Sequence, residues 1–450
     1  MTTKAIAARW RASRRIAAMV SALLLLPFSG DLSADQNPPQ KKAAPAKKAQ
    51  APGPLEKLLR DAQQALDNED FPTAAKALEE YLPYRPNDPI AHFQLGYAYT
   101  GMNRPEDAER EYLKAIELDS KMAEAHLNLG LLHLDGDPAA SIPHLEKAAE
   151  LKPTEARPRF LLGMAYERSG NNAKAIENYI AARDLDAKNF DIHFFLARVL
   201  FVNGRAAEAE PEFRAALALK SDSTSAWLGL AECLLAEGKR AEAAEQYAAY
   251  LKVEPEDNGT RMQLGGLYLD LGKNEEALAE FQRLEADGAG SARLYELLAE
   301  AYVRLKKYAE AAVSLEKAIE LTPSNPALYG ELGRVRLQLR DFPAAEKALL
   351  TALRLQPNSK DALRDLVAVY SISDNCPAAL STLQQLGQLE TLNAGSWFIR
   401  ALCYDKLAKK PEALAAYQEF LRLDQGRSEK QEFQARQRIK VLTRELERKR

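Results

Sequence analysis

One period governs the sequence. Helical apolar patterns recur every 34 residues from residue 55 to residue 427. The stretches 92–118, 159–185, 193–219, 227–253 and 295–321 align without gaps, each reading as an amphipathic helix, a turn and a second amphipathic helix. The block holds 373 residues, one short of eleven periods, and the missing residue falls in the His133–Pro138 turn. Repeats begin at 55, 89, 123, 156, 190, 224, 258, 292, 326, 360 and 394. Eleven repeats in register exclude the roughly three independent domains that a length of 450 residues would suggest. No single repeat can bury its own apolar face, so neighbours must stack.

Small residues carry the packing information. Position 8 of the repeat holds Ala62, Gly96, Gly130, Gly163, Ala197, Ala231, Gly265, Ala299, Gly333 and Ala401, with Val367 the one larger residue. Position 20 is Ala in every repeat except the third, where it is Ser141. Two helices approach closely only where side chains are small, so positions 8 and 20 are expected to face each other at the crossing. Position 7 is Leu in repeats 2 to 9, from Leu95 to Leu332, and bulky residues at positions 11 and 24, such as Tyr99 with Tyr112, fill the surrounding space. Gly170, Gly204, Gly238 and Gly272 stand where the first helix should stop. Pro86, Pro153, Pro255, Pro323 and Pro357 separate repeats without breaking a helix.

This pattern resembles the tetratricopeptide repeat family over residues 55–427. The resemblance implies an all-α fold, a right-handed superhelical solenoid of antiparallel helix pairs, and a non-enzymatic scaffold that binds other proteins or peptide segments in its concave groove. Residues 428–450 are expected to cap the last repeat, with Phe433, Ile439, Leu442 and Leu446 as the apolar stripe.

The N-terminus reads as an address. Lys4, Arg9, Arg11, Arg14 and Arg15 precede an apolar run from Ile16 to Phe28, followed by Leu32, Ser33 and Ala34. That layout is a secretory signal cut after Ala34, which places the mature chain in the periplasm or outside the cell; retention of residues 1–34 would anchor it to the inner membrane instead. Residues 35–54 are rich in Pro, Ala, Lys and Gln and are read as a disordered tether.

Charge and chemistry narrow the function. The formal net charge of −3 is unevenly divided: residues 1–54 carry +7, residues 428–450 carry +4, and the repeats carry −14. A negative body repels phosphate backbones, so nucleic-acid binding is not expected. His92, His126 and His193 occupy position 4, where other repeats hold Trp227, Tyr295, Tyr329 and Trp397, so they are read as packing groups. No zinc-protease motif, nucleophile elbow or phosphate loop is present, and no catalytic residue, metal, cofactor or small-molecule substrate is expected. Cys233, Cys376 and Cys403 are read as small packing residues, with a Cys376–Cys403 disulfide as the alternative in an oxidising compartment.

The family's concave face is lined by positions 2, 5, 6, 9, 12 and 13 of the first helices. In repeats 2–5 these positions present Phe93, Tyr97, Leu127, Leu131, Leu134, Phe160, Met164, Phe194 and Phe201. In repeats 8–10 they present Glu296, Glu300, Arg304, Glu331, Arg334, Arg364 and Asp365. The expected groove is therefore apolar in its first half and charged in its second, suited to a segment with a greasy anchor and a polar continuation.

Overall fold

The computed structural model describes residues 53–447, and these are helical throughout with no strand among them. The signal and nearly all of the tether lie outside the described residues. The helices come in pairs. The first six pairs are α1–α2 (Pro54–Asp67, Phe71–Tyr81), α3–α4 (Pro89–Gly101, Pro105–Leu118), α5–α6 (Ala123–His133, Pro138–Leu151), α7–α8 (Ala156–Arg168, Asn172–Leu185), α9–α10 (Phe190–Val202, Ala206–Leu219) and α11–α12 (Thr224–Ala236, Arg240–Val253). Then follow α13–α14 (Asn258–Asp270, Asn274–Ala286), α15–α16 (Ala292–Arg304, Tyr308–Leu321), α17–α18 (Pro326–Gln338, Phe342–Leu355), α19–α20 (Lys360–Ile372, Cys376–Leu389) and α21–α22 (Ala394–Lys406, Lys410–Asp424), with α23 (Glu429–Glu447) last. From Ala156 onward the first helices start 34 residues apart without exception. The chain divides into two units, one up to Gln246 and one from Tyr247, so the boundary falls within α12.

The crossing within a pair is set by size. A Cβ built on Gly96 would stand 3.2 Å from the carbonyl oxygen of Ala108, and one on Gly130 would stand 3.3 Å from that of Ser141, so positions 8 and 20 face each other. The side chain that closes the crossing comes from position 24. Cβ atoms on Gly96, Gly163 and Gly265 would lie 2.8, 2.6 and 2.4 Å from the rings of Tyr112, Tyr179 and Phe281, closer than van der Waals contact permits. These three rings are completely buried. Each close approach removes a large aromatic surface from water, worth about 2–3 kcal/mol per ring at 25 cal/mol/Å².

The turn inside ten of the eleven pairs uses one left-handed residue. Gly170, Gly204, Gly238 and Gly272 take positive φ values of 73–84°, as their sequence positions suggest. Glu69, Asn103, Lys306, Arg340, Asp374 and Ala408 adopt the same conformation at the equivalent place, with φ of 56–62°. The tertiary packing on either side holds these non-glycine residues in a conformation that costs about 1–2 kcal/mol each. Repeat 3, one residue shorter, turns between His133 and Pro138 without a left-handed residue. Side-chain caps start most helices; Asp70, Asp88, Asn189, Ser223 and Asn325, for example, accept from backbone N–H groups one turn in.

α23 packs on α22 through Ala435 and Leu442, both fully buried, with Ile439 partly buried beside them. Arg438 donates two 2.7 Å hydrogen bonds to the Asp405 carboxylate and fixes the helix to α21. Phe433 does not belong to this stripe and is 67% exposed, because it lies two positions from Ala435 and so off its face.

Gly265 and Gly266, adjacent in α13, separate the two roles of glycine. A Cβ at Gly265 meets the Phe281 ring, whereas one at Gly266 meets nothing within 4 Å. Gly265→Ala is expected to destabilise the protein by about 1–3 kcal/mol, and Gly266→Ala to stabilise it by about 0.5–1 kcal/mol. Urea denaturation of both variants checks the pair of signs.

Candidate functional site: a charged cleft on the first helices

The aromatic residues of the first unit were expected to line a groove, and they are interior. Phe93, Leu131, Phe160, Met164, Phe194 and Phe201 are all buried, at 3–8% exposure. The position-5 rings rest on position-24 rings of their own repeats: Phe93 on Tyr112 at 5.9 Å, Phe160 on Tyr179 at 5.8 Å, and Phe194 on Phe213 at 6.0 Å between centroids. Phe195 joins them across the repeat boundary, 5.5 Å from Phe160 with its ring edge-on. Rings this wide span the gap between neighbouring helices and seal it. Tyr97 and Leu127 remain partly exposed, and Tyr97 meets the edge of Phe71 at 5.9 Å.

The second unit is built differently at the same positions. Gly330 stands at position 5, where the first unit has Phe93, Phe160 and Phe194, and a Cβ on it would meet no atom within 4 Å. A cleft of about 610 Å³ opens between α15 and α17 and reaches Asp365 of α19. A second cleft of about 430 Å³ shares Ala327, Glu331, Arg334 and Asp365 with it and continues toward Ser359 and Arg364. The charged residues Glu300, Arg334 and Arg364 therefore line one surface, together with Glu296, Glu331 and Asp365.

These charges are not equally satisfied. Arg304 donates to Glu300 and to the Leu269 carbonyl, both at 2.5 Å. Arg364 donates to both Glu390 oxygens at 3.0 and 2.5 Å and to Asp361 at 2.8 Å. Glu331 and Asp365 accept no hydrogen bond from any described residue; Arg334 stands 4.0 Å from the first and 3.8 Å from the second. Burial pushes the Glu331 carboxyl above the ordinary range; Arg334 offsets this in part, and Glu296 and Glu300 add to it. Burial likewise raises Asp365. Lining the larger cleft are four carboxylates against the guanidinium groups of Arg293 and Arg334.

The histidines serve the joints between repeats. Position 4 repeatedly donates to the carbonyl six residues earlier: His92 to Pro86 at 3.0 Å, His193 to Ala187 at 3.1 Å, Trp227 to Ser221 at 3.0 Å, Arg261 to Pro255 at 2.7 Å and Tyr329 to Pro323 at 3.2 Å. Three of them also reach position 23 of the second helix: His92–Glu111, His193–Glu212 and Arg261–Glu280, each 2.6 Å. Position 4 is thus a latch across the inter-repeat turn; the sequence shows a large group there, but not the hydrogen bond that selects His, Arg, Trp and Tyr. Among the described residues, no group of three or more His, Cys, Asp or Glu is arranged to hold a metal ion.

Two tetratricopeptide repeat family models match the chain, one over residues 59–101, 94–156, 160–224 and 262–326, the other over residues 203–259 and 302–370. The chain belongs to the tetratricopeptide repeat family. The human protein O-mannosyl-transferase TMTC3 is 30% identical over 161 residues, which is 32% of this chain and 18% of that protein. The TPR repeat-containing protein PA4299 of Pseudomonas aeruginosa is 42% identical over 79 residues, 17% of this chain and 32% of that one. The matches thus span less than a third of either relative's length. Among solved structures, MamA from Desulfovibrio magneticus RS-1 is 26% identical, with 38% of this chain and 99% of that chain covered at a TM-score of 0.36.

Repeat 3 is the one place where the latch pairs two bases. His126 donates from Nε2 to the Ser120 carbonyl at 3.3 Å, and its Nδ1 faces Nδ1 of His144 at 3.3 Å. Burial lowers both residues below the usual histidine value of 6.5; Lys147 adds to this at His126, and His126 and His133 add to it at His144, where Glu109 opposes. Below about pH 6.5 the unfolded chain binds protons that the folded pair refuses, so stability from this pair is present above that pH and is lost as pH falls further. His144→Asn, which copies Asn178 of repeat 4, is expected to flatten the fall in stability between about pH 6.5 and 5. Urea denaturation across that range gives the two slopes, and equal slopes contradict the assignment.

Proposed function

We propose that this chain is a non-enzymatic, exported scaffold whose second unit binds an extended protein segment bearing basic side chains in the cleft of α15, α17 and α19. The observation that carries the reading is the pair Glu331 and Asp365: two partly buried carboxylates with no hydrogen-bond donor of their own, in a cleft where acids outnumber bases. A lysine or arginine from a partner supplies the donors they lack. Arg334, held loosely by both, can swing to a carbonyl or carboxylate of the same segment. The cleft is formed before binding, so the scaffold loses little conformational entropy when a segment docks. The acidic body of the repeats steers a basic partner toward it.

Fluorescence anisotropy with labelled decapeptides tests this reading. Lysine-containing peptides are expected to bind the wild type, and glutamate-containing ones of equal length to bind far more weakly. Glu331→Gln combined with Asp365→Asn is expected to weaken lysine-peptide binding at least about tenfold while leaving the helical spectrum intact. Affinity should also fall as pH is lowered toward the carboxylate range, and sooner than for carboxyls of ordinary pKa, since both are raised above their ordinary values and must be ionised to hold a cation. Equal binding of acidic and basic peptides, or an unaffected double variant, overturns the assignment.

Export rests on the basic, apolar and small-residue order of residues 4–34. N-terminal sequencing of the protein from cells is expected to begin at Asp35. A chain that retains residues 1–34 contradicts cleavage and supports a membrane-tethered component of a cell-envelope assembly. Among the described residues no helix is long and apolar enough to cross a membrane.

A further inference from the structure

The joint between repeats 10 and 11 holds two cysteines side by side. Cys376 is the first residue of α20, and Cys403 lies on α21 in the next repeat. Both sit in one buried cluster with Tyr370 and Ala379. Both are reduced in the structure. The third cysteine, Cys233, is also buried and belongs to the other unit.

We propose that Cys376 and Cys403 form a reversible disulfide that staples repeat 10 to repeat 11 when the protein meets a small-molecule or protein disulfide. The two thiols share one buried cluster at the joint, with Lys406, one turn beyond Cys403, bonded to Asp374 beside Cys376. The same joint is already held non-covalently beside them: Lys406 of α21 donates to Asp374 of the α19–α20 turn at 2.6 Å, and Asp374 in turn lies 4.0 Å from the Cys376 sulfur. The disulfide therefore adds a covalent bond at a contact the fold has already made, which is the geometry in which a cross-link is least opposed by native strain.

The order of events follows from position. Cys376 is 5% exposed and Cys403 2%, so an incoming disulfide reaches Cys376 first. Cys376 as thiolate attacks one sulfur of an incoming disulfide; that S–S bond breaks, one thiolate leaves and takes up a proton, and a mixed disulfide remains on Cys376. Burial, and next the neighbouring thiol, hold Cys403 up to about 12. Capping Cys376 removes its share of that rise, while burial and Asp374 still raise Cys403 and Lys406 opposes them. Cys403 then gives its proton to solvent and attacks the Cys376 sulfur, expelling the second thiolate. Two protein thiols are oxidised by two electrons and one external disulfide is reduced to two thiols.

The test uses the full chain, fully reduced and then incubated with oxidised glutathione. After acid quench and denaturation, alkylation with a maleimide is counted by intact mass. The expected result is one alkylated thiol, assigned to Cys233, and a tryptic peptide joining Cys376 to Cys403. Cys403→Ser should stop at a glutathione adduct on Cys376, and Cys233→Ser should leave no alkylated thiol. The oxidised wild type should melt higher than the reduced form by about 3 °C or more, with no such shift in Cys376→Ser. Three alkylated thiols, a stable glutathione adduct on wild-type Cys376, or a disulfide that forms without raising the melting temperature each overturn the proposal. None of these readouts depends on where the protein resides or on what its cleft binds.

Discussion

Everything in this fold depends on a large position-24 side chain lying against a position-8 residue that has almost none. Tyr112 over Gly96, Tyr179 over Gly163 and Phe281 over Gly265 leave no room for a Cβ where they meet, and the rings are wholly removed from water. That fit fixes the crossing of the two helices in a pair. The crossing then decides which residues of the first helix point at the next pair, and the position-4 latches tie the linking turn to the repeat that follows. Each contact is short-range, yet repetition makes it the architecture.

The same uniformity explains why a cleft opens between the first helices α15 and α17. A stack of this kind closes over itself wherever wide side chains stand at positions 5 and 9 of the first helices. Phe93, Phe160, Met164 and Phe194 do this in the first unit and are themselves buried. In the second unit Glu296, Gly330 and Arg364 stand at position 5, while Glu300 and Arg334 stand at position 9. Charged side chains avoid burial and glycine has nothing to bury, so the gap stays open and polar. Glu331 and Asp365 line it with carboxylates that the protein itself does not satisfy, which is a cost to the free protein and an opportunity for a cationic guest.

Much of this was legible in the residues. Period, helix pairing and the small crossing positions follow from Gly, Ala and Leu recurring at fixed offsets, because those offsets report backbone proximity directly. The charged half of the surface was legible for the same reason. The apolar half was not: a phenylalanine at position 5 looks identical in sequence whether it faces solvent or the ring at position 24, and only the neighbouring helix decides. The left-handed turns at Lys306, Arg340 and Ala408 were hidden because no glycine marks them; packing on both sides imposes the conformation. The latch hydrogen bonds join residues six apart across a turn whose path the sequence does not display. Phe433 shows the limit of a helical stripe drawn by eye, since Ala435, a smaller residue two positions on, holds the buried face instead.

The most direct measurement is a double-mutant cycle on Gly163 and Tyr179. Unfolding free energies are determined by urea denaturation for the wild type, Gly163→Ala, Tyr179→Leu and the double variant. If the ring resting on the glycine organises the pair, the cost of the added methyl falls sharply once the ring is gone, and the coupling is about 1 kcal/mol or more. Strictly additive costs, within about 0.3 kcal/mol, would show that the two residues do not act on each other and would contradict the account.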